Sequence, residues 1–260
     1  MPTSRLTCTL LAAGLLSPLA WADNAPAKIS LIDRPVPSLD TLKDDAYGKL
    51  VRRGHELATR TFAHIGPEVK NPKMRYAGNN LSCTSCHQDN ATKPYAIPWV
   101  GAFASFPQYR AREDAVSTIE ERVNGCMERS MNGKPLPLDS EEMKSMVALF
   151  DWMRNETKPE DKIEGRGVGK VSQSIIPNTE NGKKIYQAQC ALCHGADGEG
   201  IKNAKGQWVY PPLWGDESFN IGAGMARTYT AAAFVKRNMP IAFHGSFPLG
   251  QGGLSDQEAV

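Results

Sequence analysis

The sequence predicts a mainly α-helical protein made of two similar halves in tandem, and three observations support this. The pattern Cys-x-x-Cys-His occurs twice, at Cys83–His87 and at Cys190–His194. Apolar residues near each copy recur at the spacing of an α-helix. Residues 156–178 between the halves are charged, contain Gly and Pro and are weakly periodic, which predicts a surface linker.

The composition is that of a folded chain. Of 260 residues, 41% are hydrophobic and 22% are charged, so there is enough apolar surface for a core and wholesale disorder is excluded. The 30 basic and 28 acidic residues give a formal charge of +2. This balance predicts no nucleic-acid partner.

The first 22 residues have the anatomy of a secretory signal peptide. Arg5 precedes an uncharged apolar run from Leu6 to Leu19, and Ala20–Ala22 forms a small-x-small cleavage site before Asp23. An uncleaved anchor is the alternative. No other stretch reaches the ~18 apolar residues that a spanning helix needs, so we expect a mature chain without a membrane span, exported to a bacterial periplasm.

The repeated motif is the attachment pattern of c-type haem, in which two cysteines bond to the porphyrin and the histidine ligates iron. Without Cys8 of the signal peptide, four of the five remaining cysteines lie in these motifs. We therefore expect two covalently bound haem c groups with His87 and His194 as proximal ligands. A zinc site or a redox dithiol is the alternative. The expected attachment residues are Cys83, Cys86, Cys190 and Cys193.

The first half, residues 23–155, is predicted to be a small helical haem domain. Its expected elements, in order, are a helix over Leu50–Phe62, the first motif, a proline turn at Ile97–Trp99, and helices over Asp114–Val123 and Asp139–Arg154. In the last helix an apolar face at i, i+3, i+4, i+7 predicts core packing rather than metal ligation. That face consists of Met143, Met146, Val147 and Phe150.

The second half, residues 179–260, repeats this order. Helices are predicted over Asn181–Gln189 and Tyr229–Lys236, with a turn at Pro211–Gly215 between them. Ser255 and Glu258 form a capping box that should open a closing helix. The chain ends at Val260, within two turns of that start, so we expect a fragment of a longer protein.

The distal iron ligands are sought just before the last helix of each half. Met239 lies sixteen residues before Ser255, and the residue fourteen before Ser140 is the fifth cysteine, Cys126. A thiolate lowers the potential of haem iron and a methionine raises it, so electrons would run from the first haem to the second. Rival ligands in the first half are Met127, Met131, His55 and His64. Rivals of Met239 are Lys236 and His244.

Three stretches, Trp99–Phe103, Phe106–Glu113 and Asn124–Pro137, resemble the periplasmic dihaem thiosulfate dehydrogenases of the TsdA family. The resemblance implies oxidation of two thiosulfates to tetrathionate, possible in both directions, with His/Cys ligation at the first haem. A soluble cytochrome or similar acceptor would take the electrons. Some members carry a Lys beside the ligand Met and exchange the two, whereas here Asn238 precedes Met239.

The segment around Cys126 is rich in groups that suit an oxyanion. We expect Cys126 to bond to one thiosulfate and a second thiosulfate to attack that adduct. Arginine forks bind oxyanions through paired hydrogen bonds, with Arg112 and Arg129 the first candidates, although a solvated helix face would look similar. The full set of candidate substrate residues is Arg110, Arg112, Arg122, Arg129 and Ser130.

Two other classes of function fit the same motifs. A plain dihaem electron-transfer cytochrome would show reversible redox chemistry without a substrate response. A SoxA-like subunit, also with a Cys-ligated haem, would need a partner and a carrier protein. A dihaem peroxidase fits less well, because it needs an open or His-ligated iron at the substrate end.

Overall fold

The computed structural model describes residues 28–30, 36, 38–241 and 252–260. The signal peptide with Cys8, and the alternative ligand His244, lie outside these described residues. None of the helices in the described part of the chain is long and apolar enough to cross a bilayer.

Helices dominate both halves, as the sequence predicts. The first half contains α1 (Ala46–Thr59), α2 (Thr61–Ile65), α3 (Gln88–Ala91), α4 (Ile119–Arg129) and α5 (Glu141–Trp152). The second half contains α6 (Thr179–Gln189), α7 (Ala191–His194), α8 (Thr228–Asn238) and α9 (Asp256–Ala259). The strands are β1 (Lys28–Ser30), β2 (Gln108–Arg110), β3 (Ala115–Ser117), β4 (Lys162–Glu164), β5 (Ile201–Lys202) and β6 (Trp208–Tyr210). They form three two-stranded sheets, β1–β4 parallel and β2–β3 and β5–β6 antiparallel.

The core of the first half lies where α1 crosses α5. Leu57 of α1 and Met143 and Leu149 of α5 are almost fully buried, which agrees with the apolar face predicted for the last helix of this half. Gly54 lies at the contact, and a Cβ there would clash with the carbonyl oxygen of Ser145. A glycine therefore sets how closely the two helices approach.

The prediction of a helix over Asp114–Val123 was wrong at its start. Asp114 adopts a left-handed φ of 48° in the turn between β2 and β3, which pair as a hairpin. The helix begins only after Thr118, whose side chain accepts a bond from the Glu121 backbone while Glu121 caps Thr118 in return. From there α4 continues to Arg129, so that Cys126 lies within it.

The second half has a smaller core. Val171, Ala232 and Ala233 are buried together, with Tyr229 and Val260 packed against them. The predicted capping box at Ser255 and Glu258 is present and opens α9. Lys236 of α8 pairs with Asp256 of α9, which ties these two helices together.

The segment 156–178 is mostly exposed and is fixed to the rest of the protein at several points. Its β4 pairs in parallel with β1 near the N-terminus, and Thr157 and Val171 are buried. Gly165 and Gly167 accept backbone hydrogen bonds from the loop after the first motif. These backbone pairings join residues that are distant in sequence, so composition alone does not reveal them.

The two halves are joined by polar contacts of asparagine side chains with backbone groups. The buried Asn79 amide donates to the carbonyl oxygens of Ser130, at 3.1 Å, and Ser218, at 2.9 Å. From the other side, the Asn220 amide donates to the Glu128 carbonyl at 2.8 Å. The end of α4 is therefore held against the second half.

Candidate active site

A cavity of about 310 Å³ lies in the first half beneath α4. Its wall contains both cysteines and the histidine of the first motif together with Cys126, which lies well beyond the motif in the sequence. Residues of the second half complete the wall, namely Phe219, Gly224, Met225 and Thr230. The cavity therefore lies where the two halves meet.

The imidazole of His87 is held in one orientation. Its Nδ1 lies 2.6 Å from the carbonyl oxygen of Ile97, and its ring centroid lies 5.0 Å from that of Trp99. Because Nδ1 faces a carbonyl acceptor, it carries the proton and Nε2 keeps its lone pair. Burial, with the nearby charge of Arg122, lowers the pKa of His87 to about 4, against the raising effect of the Ile97 carbonyl. The ring is thus a neutral imidazole suited to a metal.

The two thiols of the first motif are shielded from water. Burial raises the pKa of both Cys83 and Cys86 to about 11. Neither thiol forms a disulfide, and Cys83 Sγ has the Thr61 hydroxyl as a neighbour at 3.4 Å. Two unpaired thiols and one oriented imidazole on the wall of an apolar cavity fit a covalently attached haem.

Cys126 has a cationic partner on its own helix. One turn earlier on α4, Arg122 donates from Nη1 to the Cys126 sulfur at 2.8 Å. Both side chains line the cavity. The rival ligands Met127 and Met131 also reach the wall but are buried in the hydrophobic core, and His64 is engaged with Arg53 at 3.0 Å.

A carboxylate organises two of the predicted substrate arginines. Glu113 binds Arg110 Nε at 3.1 Å through one oxygen and Arg129 Nη2 at 3.0 Å through the other. Desolvation opposes ionisation of Glu113, but the hydrogen bond and charge of Arg110, with the charge of Arg129, outweigh it and lower its pKa. The Arg129 guanidinium packs over Gly125, where a Cβ would overlap it.

The five predicted substrate residues divide into two groups. Arg110, Arg122 and Ser130 line the cavity. Arg112 donates to the Gly222 carbonyl of the second half, and Arg129 binds Glu113. Neither of these two arginines is among the described residues that line the cavity, so both lie beside its wall. All five remain predictions as substrate ligands.

The second motif repeats the geometry of the first. His194 Nδ1 lies 3.0 Å from the carbonyl oxygen of Pro211, and the residue after this acceptor is a proline, as it is after Ile97. Burial raises the pKa of the Cys190 thiol. Met239 caps the end of α8 and is half-buried. Of the rival ligands, Lys236 is occupied by Asp256.

Comparison with known proteins agrees with this duplicated arrangement. Residues 73–155 match the SoxA/TsdA cytochrome c domain, and residues 179–259 match the cytochrome c domain. A thiosulfate dehydrogenase of Allochromatium vinosum is 37% identical over 254 residues, which cover 96% of this chain and 86% of that protein. The chain belongs to the thiosulfate dehydrogenase family.

Other members of the thiosulfate dehydrogenase family are longer. The protein from Psychrobacter arcticus is 46% identical over 86% of this chain, and the match spans 64% of that protein. The solved thiosulfate dehydrogenase TsdBA of Marichromatium purpuratum superposes with a TM-score of 0.74 at 33% identity, over 86% of this chain and 46% of that one. The predicted fold, two cytochrome c domains in a mainly α-helical chain, is confirmed, and such domains imply haem c.

Two residues of the site, Glu113 and Arg166, were not predicted from the sequence of this thiosulfate dehydrogenase family member. Glu113 lies in one of the stretches that carry the family resemblance, but its role as a bridge between Arg110 and Arg129 depends on contacts made in three dimensions. Arg166 lines the cavity although it belongs to the connecting segment. A lone arginine between two glycines is the only signal the sequence offers there.

Proposed function

We propose that this chain is a dihaem c-type cytochrome that oxidises two thiosulfates to tetrathionate at Cys126, and that the reaction can run in both directions. One haem is attached through Cys83 and Cys86, and the other through Cys190 and Cys193. His87 and Cys126 would hold the iron of the first haem, and His194 and Met239 would hold that of the second. When bound, each haem supplies a one-electron acceptor, so the pair takes both electrons of the reaction.

The observation that carries this proposal is the hydrogen bond from Arg122 to the Cys126 sulfur on the wall that also contains the first motif. This hydrogen bond places a cation beside the sulfur atom that would bond to an anionic substrate. A simple electron carrier has no use for a nucleophile in this position. The family relationship to thiosulfate dehydrogenases supports the same substrate.

The chemistry balances with Cys126 as the covalent carrier. Its thiolate bonds to the sulfane sulfur of one thiosulfate, giving Cys–S–S–SO₃⁻ with release of two electrons. The second thiosulfate attacks the sulfane sulfur of that adduct, the bond to Cys126 breaks, and tetrathionate leaves with the thiolate restored. Both substrates are dianions, and Arg110 and Arg122 on the cavity wall supply positive charge where they meet. Ser130 on the same wall would offer its hydroxyl group, and Arg112 and Arg129 would guide the substrates from beside the cavity.

Electrons leave through the second half. Met239 would hold the iron of the second haem, and a methionine ligand would give that haem a higher potential than a thiolate would give the first, so electrons would pass toward the second half. A soluble cytochrome or similar protein accepts them. The signal-peptide pattern of residues 1–22 supports action in the periplasm.

The decisive experiment replaces the sulfur. In Cys126→Gly, thiosulfate-dependent haem reduction should fall by at least about 10³-fold, because the covalent carrier is gone. Both haems should remain attached, and the low-spin thiolate signal of the ferric protein in low-temperature spectra should disappear. Met127→Leu, one residue away and without a thiol, is the matched control and should keep both activity and signal.

Three outcomes would contradict the proposal. Normal turnover by Cys126→Gly would exclude the covalent mechanism. Reversible redox chemistry of the unaltered protein with no response to thiosulfate would indicate a plain electron-transfer cytochrome. Activity that appears only with a partner and a carrier protein would indicate a SoxA-like subunit.

A further inference from the structure

Arg166 is held firmly against the loop that follows the first motif. The carbonyl of the preceding Gly165 accepts from the Tyr95 backbone at 2.6 Å, and that of the following Gly167 accepts from the Ile97 backbone at 2.9 Å. Both glycines have a left-handed φ, of 85° and 74°. Residues other than glycine are strained in this conformation, so glycines are needed on both sides of Arg166. The two backbone hydrogen bonds of these glycines fix the segment so that Arg166 lies on the cavity wall.

The charge on that wall is unbalanced. Three guanidinium groups line the cavity, those of Arg110, Arg122 and Arg166, and no carboxylate from the described residues lines it. Arg110 is paired with Glu113, and Arg122 donates to the Cys126 sulfur. Within the described part of the chain, Arg166 has no ion pair.

Arg166 is nevertheless partly withdrawn from water. Arg166 is a solvent-exposed residue, yet its position against the cavity wall buries part of the guanidinium, and this burial lowers its pKa. A cation without a counter-charge at the edge of an apolar cavity would gain a favourable interaction from an anionic group bound there. The fork of an arginine matches a carboxylate through two parallel hydrogen bonds.

We propose that Arg166 binds a propionate carboxylate of the first haem and thereby raises that haem's reduction potential. The inference rests on the proposed attachment of haem at Cys83 and Cys86. A cation beside the porphyrin disfavours the ferric form, which carries one more positive charge than the ferrous form. The connecting segment would then tune the first haem as well as join the halves.

The test is a redox titration of the holoprotein without thiosulfate. In Arg166→Gln the ferric-to-ferrous ratio of the first haem at a fixed potential should rise about tenfold, a fall in potential of ~59 mV for one electron. Arg166→Lys keeps the charge and should restore most of the potential. Lys158→Gln removes a charge from an exposed position on the same segment and should leave the potential unchanged.

The other source of an anion is the substrate, and the titration separates the two. If the potential of the first haem is unchanged in Arg166→Gln, the inference is overturned. If the KM for thiosulfate also rises in that variant, Arg166 is a substrate ligand instead. Equal shifts in Arg166→Gln and Lys158→Gln would also overturn it. Because thiosulfate is absent, a shift confined to Arg166→Gln supports the inference even if Cys126→Gly disproves the catalytic proposal.

Discussion

At the scale of single residues, Cys126 differs from the four motif cysteines in its partner. Its sulfur receives a hydrogen bond from a guanidinium, whereas Cys83 has only a hydroxyl beside it. One wall of the cavity therefore holds cysteines with two different kinds of neighbour. Those of the motif suit thioether attachment, and Cys126 suits reversible bonding to sulfur.

A pH prediction belongs to Glu113, whose pKa is lowered by Arg110 and Arg129. A carboxylate with a lowered folded-state pKa adds stability that is complete above the unfolded value, about 4.3, and is lost as pH falls through the folded value. Glu113→Gln should therefore lower the free energy of unfolding at pH 7, and its difference from the unaltered protein should shrink below pH 4. Urea denaturation at several pH values measures both.

The control for this prediction is Glu160→Gln, at an exposed position in the connecting segment. That substitution should change the stability little at either pH. A gap between Glu113→Gln and the unaltered protein that stays constant down to pH 3 would show that the bridge contributes nothing through its charge.

Residues with a fixed chemical signature could be proposed as site residues from the sequence, whereas residues defined by their neighbours could not. The sequence marked Cys126 because an unpaired cysteine stands where a ligand is expected. It did not mark Glu113 or Arg166, because the contact of Glu113 with Arg129 and the place of Arg166 on the wall depend on how separate segments pack.

At the scale of elements, helices with strong local signals were predicted well. The capping box at Ser255 and Glu258 opens α9 where it was predicted to, and α5 lies within the predicted range Asp139–Arg154. The predicted start of α4 was wrong because residues Ala115–Ser117 form a strand that pairs with β2. This pairing with a separate segment cannot be recognised from helical periodicity. The capping box at Thr118 was the signal that could have found it.

Gly54 provides a prediction for the packing of α1 on α5. Gly54→Ala should destabilise the protein by about 1–3 kcal/mol, because the new methyl group would overlap the Ser145 backbone and force the helices apart. Gly182→Ala is the matched control in α6, where a Cβ would meet nothing within 4 Å. There the same change should stabilise by about 0.5–1 kcal/mol, through helix propensity alone.

Chemical denaturation of the two alanine variants measures both effects. Opposite signs would show that Gly54 is required by the crossing of the two helices. If both variants gained stability, α1 and α5 would have room for a methyl group and the close approach at Gly54 would not limit their packing.

At the scale of the whole molecule, the contact between the halves places the candidate site. The cavity that contains Cys126 is completed by residues of the second half, and asparagine side chains hold the end of α4 against that half. These bonds join residues about ninety to one hundred and forty positions apart, such as Asn79 and Ser218. The sequence predicted two domains of the right kind but had no signal for the surface that joins them.

Asn79 carries the last prediction, because its buried amide bridges Ser130 in the first half and Ser218 in the second. Asn79→Ala would leave both carbonyl groups without this donor, at a cost of about 1–3 kcal/mol for each buried group left unsatisfied. The halves should then separate more easily, with earlier proteolytic cleavage within residues 156–178 and slower electron transfer between the haems. Asn80→Ala removes the neighbouring amide, which binds only the exposed Glu68 within the first half, and should change neither. Equal cleavage and transfer rates in the two variants would mean that the halves are held together by other contacts.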